Sequence, residues 1–170
     1  MRSLRLLLTL CVAVAVGGCA GYQVGPTGGQ VAGARSVQIV PFANRTPEAR
    51  LADPVTSALR KELQRDGTFR LATHDPGDIV VTGAIIRYER HEISLVPSDV
   101  ATAQDYNVSL TAQVTARERS SGKVIFDQPV TGRTLVRVTQ DLPSNERQAL
   151  PLMATDLARR VTSMLADGSW

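Results

Sequence analysis

Apolar and polar residues alternate without a break from Tyr106 to Arg117. Tyr106, Val108, Leu110, Ala112, Val114 and Ala116 fall on one face, and Asn107, Ser109, Thr111, Gln113, Thr115 and Arg117 on the other. A period of two over this length predicts an antiparallel strand with one buried and one wet face. Ser120-Ser121-Gly122 supplies a hairpin turn into a further strand, Lys123 to Val138. Its inner face is read as Val124, Phe126, Val130, Val136 and Val138, and its outer face as Asp127, Thr131, Arg133 and Arg137. Upstream, the β-branched run Ser36 to Phe42 predicts a strand closed by Pro41. Asp78 to about Leu95 predicts a second, long strand, leaving the core where Arg87–Glu92 becomes charged.

The period changes to 3.6 in two places. Asp53-Pro54 reads as an N-cap followed by proline at the first helical position. Val55, Ala58, Leu59 and Leu63 then share a face, and Gly67 ends the helix. A last helix, roughly Ser144 to Ala166, carries Leu150, Met153, Leu157, Val161, Met164 and Leu165 as a stripe, with Gly168 as its stop. Pro151 removes one helical hydrogen bond and predicts a kink or a late start. The order β-α-β-β-β-α predicts an α+β two-layer sandwich: a four-stranded, mostly antiparallel sheet with two helices on one face. Its other face, rich in Ser, Thr, Gln and Arg, is left polar and open.

The first residues follow neither period. Arg2 and Arg5 precede the apolar run Leu6 to Val16, which spans roughly 16 Å as a helix and cannot cross a bilayer. This is the form of a secretory signal. Val16-Gly17-Gly18-Cys19 resembles the bacterial lipobox, which implies cleavage before Cys19 and acylation of that residue by chains such as palmitate. Several acyl chains anchor a protein stably where one does not. The plainer alternative is an ordinary secreted cysteine, with cleavage at a nearby Ala or Gly. Ala20 after the cysteine favours the outer membrane, by similarity to lipoprotein sorting. The chain thus divides into a signal (1–18), a lipidated cysteine and glycine-rich tether (19–34), and one globular domain (35–170).

Charge and composition then exclude whole classes of function. The pI near 9.2 owes much to the signal, because removing Arg2 and Arg5 from the 19 basic residues leaves seventeen against 16 acidic ones. A nearly neutral chain, with seven scattered aromatics, is a poor nucleic-acid binder. Cys11 leaves with the signal, so no cysteine catalysis is expected. His74 and His91 have no metal spacing, and no nucleophile elbow or phosphate-cradling glycine loop is present. Asp75 and Asp78 flank a Pro-Gly turn and read as turn chemistry. The expectation is a protein that is not an enzyme and takes no cofactor or metal. Arg87, Arg90, Arg133 and Arg137 are the candidate contacts, converging at the open end of the sheet to pair with phosphate or carboxylate. The alternative is a solvated edge whose charges oppose aggregation.

Gly21-Tyr22 close behind Cys19, then Val40-Pro41-Phe42-Ala43-Asn44-Arg45-Thr46, Gly83 in an apolar strand, the tyrosine-led alternating strand, the Gly-Lys-Val hairpin and the closing helix occur in one order. In this the chain resembles the LptE family of lipopolysaccharide-assembly lipoproteins, along the whole mature sequence. Two departures are Ala20, placed before the Gly-Tyr pair, and a tail ending at Trp170. The resemblance implies a lipoprotein that plugs an LptD-type outer-membrane β-barrel, helps it assemble, and contacts lipopolysaccharide phosphates through basic residues. A polar sheet face suits the wet lumen of a large barrel. A different class of function, a lipoprotein regulating a periplasmic cell-envelope enzyme, suits the same small domain.

Overall fold

The computed structural model describes residues 31–93, 105–137 and 142–168. Cys19, the signal and most of the tether lie outside them, as do Leu95 and Val138. The elements, in chain order, are β1 (Ser36–Ile39), β2 (Ala43–Asn44), α1 (Ala52–Asp66), β3 (Arg70–Leu71), β4 (Ile79–Ile93), β5 (Asp105–Glu118), β6 (Val124–Arg137) and α2 (Leu142–Ala166).

One sheet runs β3-β1-β4-β5-β6, with β2 pairing separately onto β4. The β4-β5-β6 half is antiparallel, as the alternation predicts. The rest corrects the four-stranded expectation. β1 lies parallel to both β3 and β4, and β2 is parallel to β4, so the α+β sandwich has six strands and a parallel flank. β2 and β3 have two residues each, too short for any period to show.

The first strand also divides. β1 stops at Ile39, and exposed Pro41 takes the chain out before Ala43-Asn44 returns to β4. Between them Phe42 turns into the core, and Gly83 makes the room: a Cβ there would sit 2.2 Å from the Phe42 ring. Thr56 of α1 fixes the turn, accepting Phe42 N–H at 3.0 Å and donating to the Ala52 carbonyl at 2.8 Å.

The helix starts differ from the sequence reading. Buried Leu51, not Asp53, occupies the N-cap, and no side chain caps the helix. The Leu51 side chain anchors the start, and Asp53 adds a favourable charge to the first turn. Gly67 closes α1 as expected, with φ 76° and its N–H on the Leu63 carbonyl at 3.2 Å. α2 begins at Leu142 and runs through Pro151, whose ring is exposed, so the interrupted turn faces water.

Both helices cover one face of the sheet. Val55, Leu59 and Leu63 of α1, and Met153, Leu157 and Val161 of α2, share one core with Val81, Ile85, Leu110, Val114 and Val130. Gly132 lets α2 approach β6, since a Cβ there would meet the Met153 carbonyl at 2.4 Å. Two register shifts alter the alternation. One, opposite Ala116/Arg117, buries both Ile125 and Phe126 and leaves Val124 42% exposed, correcting its placement inside. The other lies in β4 between Ile85 and Arg87.

Candidate functional site

The sheet face away from the helices is uncovered. Thr111 and Thr131 share a hydroxyl hydrogen bond at 2.8 Å across β5 and β6. Asp127 accepts from Gln113 at 2.6 Å and from Thr115 at 3.0 Å. The face is therefore a lattice of short polar side chains, already hydrogen-bonded among themselves and half-exposed. Leu135, 59% exposed beside Asn107, Ile86 at the bulge and Val124 opposite Arg117 are among its exposed apolar members.

The β4 bulge sorts the candidate arginines. Before it, odd residues Ile79, Val81 and Ile85 face the core; after it, Tyr88 and Arg90 stand opposite Leu110 and Val108 on the helix side. Arg87 is thereby turned to the open face beside Thr111, and Arg133 joins it from β6 beside Ser109. These two guanidiniums flank the hydroxyl row of the central strand. Arg87 faces Glu89 at 3.8 Å, and His91 Nε2 lies 3.8 Å from the same carboxylate. Arg133 fixes its backbone instead: its N–H donates to Asp156 Oδ2 at 2.9 Å.

Arg90 does not converge with them. It leaves by the other side, 3.6 Å from Glu48, with its guanidinium 5.5 Å from the centre of the Tyr88 ring. The backbone of Arg137 ends β6 opposite Asp105, and its side chain lies outside the described residues. Four arginines at one open end become two on the open face and one behind it, because a single extra residue reverses the side-chain alternation.

The segment after β2 brings in cations that the strand pattern passed over. Asn44 Oδ1 accepts from Thr46 N–H at 3.0 Å and from Thr46 Oγ1 at 2.8 Å, while Asn44 Nδ2 donates to the Glu48 carbonyl at 2.6 Å. Asn-x-Thr is thus an Asx-type turn that holds the loop. It presents exposed Arg45, whose N–H bonds the Ile85 carbonyl at 2.9 Å, beside the bulge. Arg50, also exposed, has φ 66° and turns the chain so that Leu51 can enter the core. The Asn-Arg-Thr-Pro turn was the signal for this loop.

At the opposite end of the sheet, Asp78 is structural. Its carboxylate accepts from Ser36 N–H at 2.8 Å and Ser36 Oγ at 2.7 Å, which holds its pKa below the ordinary carboxylate value, with Arg35 and Arg70 adding attraction. Among the described residues no three His, Cys, Asp or Glu side chains are grouped to hold a metal. None of the described helices is long and apolar enough to cross a membrane.

The described residues thus form an α+β two-layer domain whose uncovered face is a hydrogen-bonded polar lattice flanked by Arg87 and Arg133. The family model for lipopolysaccharide assembly matches residues 34–165, and the chain belongs to this LptE family. No curated protein matches the sequence. Solved structures share the fold at low identity. A protein from Xanthomonas campestris has a TM-score of 0.57 and 12% identity, over 87% of this chain and 93% of its own. A hypothetical protein from Chlamydia trachomatis has a TM-score of 0.55 and 13% identity, covering 78% and 95%. A minor lipoprotein from Acinetobacter baumannii has a TM-score of 0.51 and 14% identity, covering 78% and 92%.

Proposed function

We propose that this protein is an outer-membrane lipoprotein, held by lipid on Cys19, whose domain fills the lumen of an LptD-type β-barrel. In this reading it helps the barrel assemble and takes part in lipopolysaccharide insertion, without acting as an enzyme. The observation that supports it best is the open face of β4, β5 and β6. Strands of 14 and 15 residues extend roughly 45 Å at about 3.3 Å per residue. Such a face needs a wet, polar counterpart, because its hydroxyls and amides resist burial against hydrocarbon. A barrel lumen offers that counterpart.

Arg87 and Arg133 are the lipopolysaccharide contacts we favour, since guanidinium and phosphate pair bidentately. Arg45 lies beside the bulge at the rim of this face, whereas Arg90 stands on the helix side with Glu48. The test is the double variant Arg87→Glu/Arg133→Glu in a depletion strain. The expected outcome is normal abundance and folding, a leaky outer membrane, and weakened lipopolysaccharide binding or barrel co-purification. Full rescue with both interactions intact returns these arginines to a solvated surface. A soluble periplasmic enzyme co-purifying in place of a barrel overturns the plug itself.

A further inference from the structure

The flank of the sheet at β3 carries a feature independent of the barrel reading. β3 pairs with β1 only at Ser36 and Val37, whereas β1 continues to Ile39. Hydrogen bonds fix which way the remaining edge groups point. The Val37 carbonyl accepts from Ala72 N–H on the β3 side at 2.9 Å, and Val40 N–H donates to Val81 on the β4 side at 3.0 Å. Strand alternation therefore turns the N–H and C=O of Ile39 to the β3 side, beyond the point where β3 has ended.

There the surface opens into a cleft of about 560 Å³. Its walls are Gln38–Pro41 and the turn from Leu71 to Pro76, with Arg60 of α1 and Arg119 after β5 at its sides. The volume lies within the roughly 300–1,000 Å³ usual for ligand sites. Its charge is unbalanced. Arg60 Nη2 donates to the Ile39 carbonyl at 3.3 Å, and Arg119 donates to the Gly77 carbonyl at 2.8 Å and to the side-chain oxygen of Gln38. Both guanidiniums thus rest on neutral carbonyl oxygens, and neither has an ion pair among the described residues. Asp75 is the single carboxylate in the lining.

We infer that this cleft takes an extended backbone segment of a partner protein, laid beside β1 where β3 stops and carrying an acidic side chain for Arg60 and Arg119. The long Arg60 bond covers the Ile39 carbonyl in the free protein. Release of that exposed side chain to a carboxylate frees the carbonyl for an incoming N–H. Main-chain pairing to an open edge supplies position, and the arginines supply selection for acid. The other edge of the sheet is blunted at two positions: Pro129 of β6 has no N–H to offer, and the Arg133 N–H is taken by Asp156. The open edge is short, so binding is weak and is read at millimolar peptide.

Isotope-labelled full chain in detergent micelles is titrated with a hexapeptide of alternating valine and glutamate, blocked at both ends. The same peptide with lysine for glutamate, and sodium acetate alone, are the comparison probes. The expected result is amide shifts confined to residues 38–40 and 71–75, with slowed exchange of the Ile39 amide. Affinity falls about tenfold or more in Arg60→Gln/Arg119→Gln; Arg60→Gln alone, at an exposed position, gives a smaller loss if the double variant unfolds. No shift at millimolar peptide overturns the proposal. So does equal binding of the lysine peptide, or acetate reproducing the whole pattern, which makes the cleft a plain anion site.

Discussion

Thr162 in α2 is 3% exposed, and its hydroxyl has no hydrogen-bond partner among the described residues. A buried, unsatisfied hydroxyl costs about 1–3 kcal/mol, whereas a methyl in its place costs nothing in polarity and keeps β-branching. Thr162→Val is therefore expected to stabilise the domain by about 1 kcal/mol, read as a rise of roughly 3 °C in Tm for a chain of this size. A lower Tm shows that the hydroxyl has a partner after all. Asp78 is the opposite case, a polar group whose bonds lock two strands together. Its folded pKa lies below its unfolded value, so its contribution is present above the unfolded pKa and is lost as pH falls through the folded one. Asp78→Asn is expected to unfold more easily than wild type at neutral pH. Denaturation curves of the two proteins should approach each other as pH falls below 4, and a constant gap across that range contradicts the assignment.

Strands, turns and helix faces carry the next set of consequences. In β5 the even residues are buried and the odd ones half-exposed, along the whole length from Val108 to Ala116. Leu110→Asp places an unpaired carboxylate in the core and is expected to cost several kcal/mol, enough to unfold the domain. Thr111→Asp loses the bond to Thr131 but remains on the open face, and is expected to stay within about 1 kcal/mol. Circular dichroism melts separate the two; equal Tm values show the register to be wrong. The same alternation fails one strand away. β4 carries an extra residue between Ile85 and Arg87, so a pattern read outward from either end predicts the wrong face at the other. The apolar run through Ile85-Ile86 conceals this, since both residues suit either side. At the β1–β2 break, the pairing of Phe42 with Gly83 was written in the sequence as two separate signals. Only their contact shows that the glycine serves the ring.

For the whole molecule, membership of the lipopolysaccharide-assembly family fixes the envelope as the setting in which its surfaces are to be read. In the proposed function the anchor and the polar face answer different needs: the lipid would keep the domain at the membrane, and the face would choose what it touches there. Cys19→Ala removes the only thiol left after the signal, so no other residue can accept the diacylglycerol. Its expected outcome is an uncleaved or mislocalised precursor in membrane fractionation, with the domain itself folded. An unmodified Cys19 in the mass spectrum of the wild-type protein removes the anchor from the proposal. The placement of Arg90 has a similar reach. Because it pairs with Glu48 on the helix side, it belongs to the loop after β2 and not to the face shared by Arg87 and Arg133.

Local chemistry by itself determined a good deal of this protein. The period of two in β5, the 3.6 period of both helices, the glycine stop at Gly67 and the hairpin at Ser120-Ser121-Gly122 are short-range preferences, set by each residue and its neighbours within a few positions. So is the polar outer face; the lipobox-like run ending at Cys19 is a pattern of the sequence that lies outside the described residues. Strand order was decided elsewhere. β1 pairs with β3 and β4 through backbone groups whose sequence separation is more than thirty residues, and backbone hydrogen bonds carry no side-chain signature. A two-residue strand such as β3 has no period at all; it exists because β1 offers an edge and α1 returns the chain to it. The arginines follow the same rule. Their charge is a property of the sequence, but the side of the sheet on which each one stands depends on one bulged residue, and a bulge forms only where two strands meet.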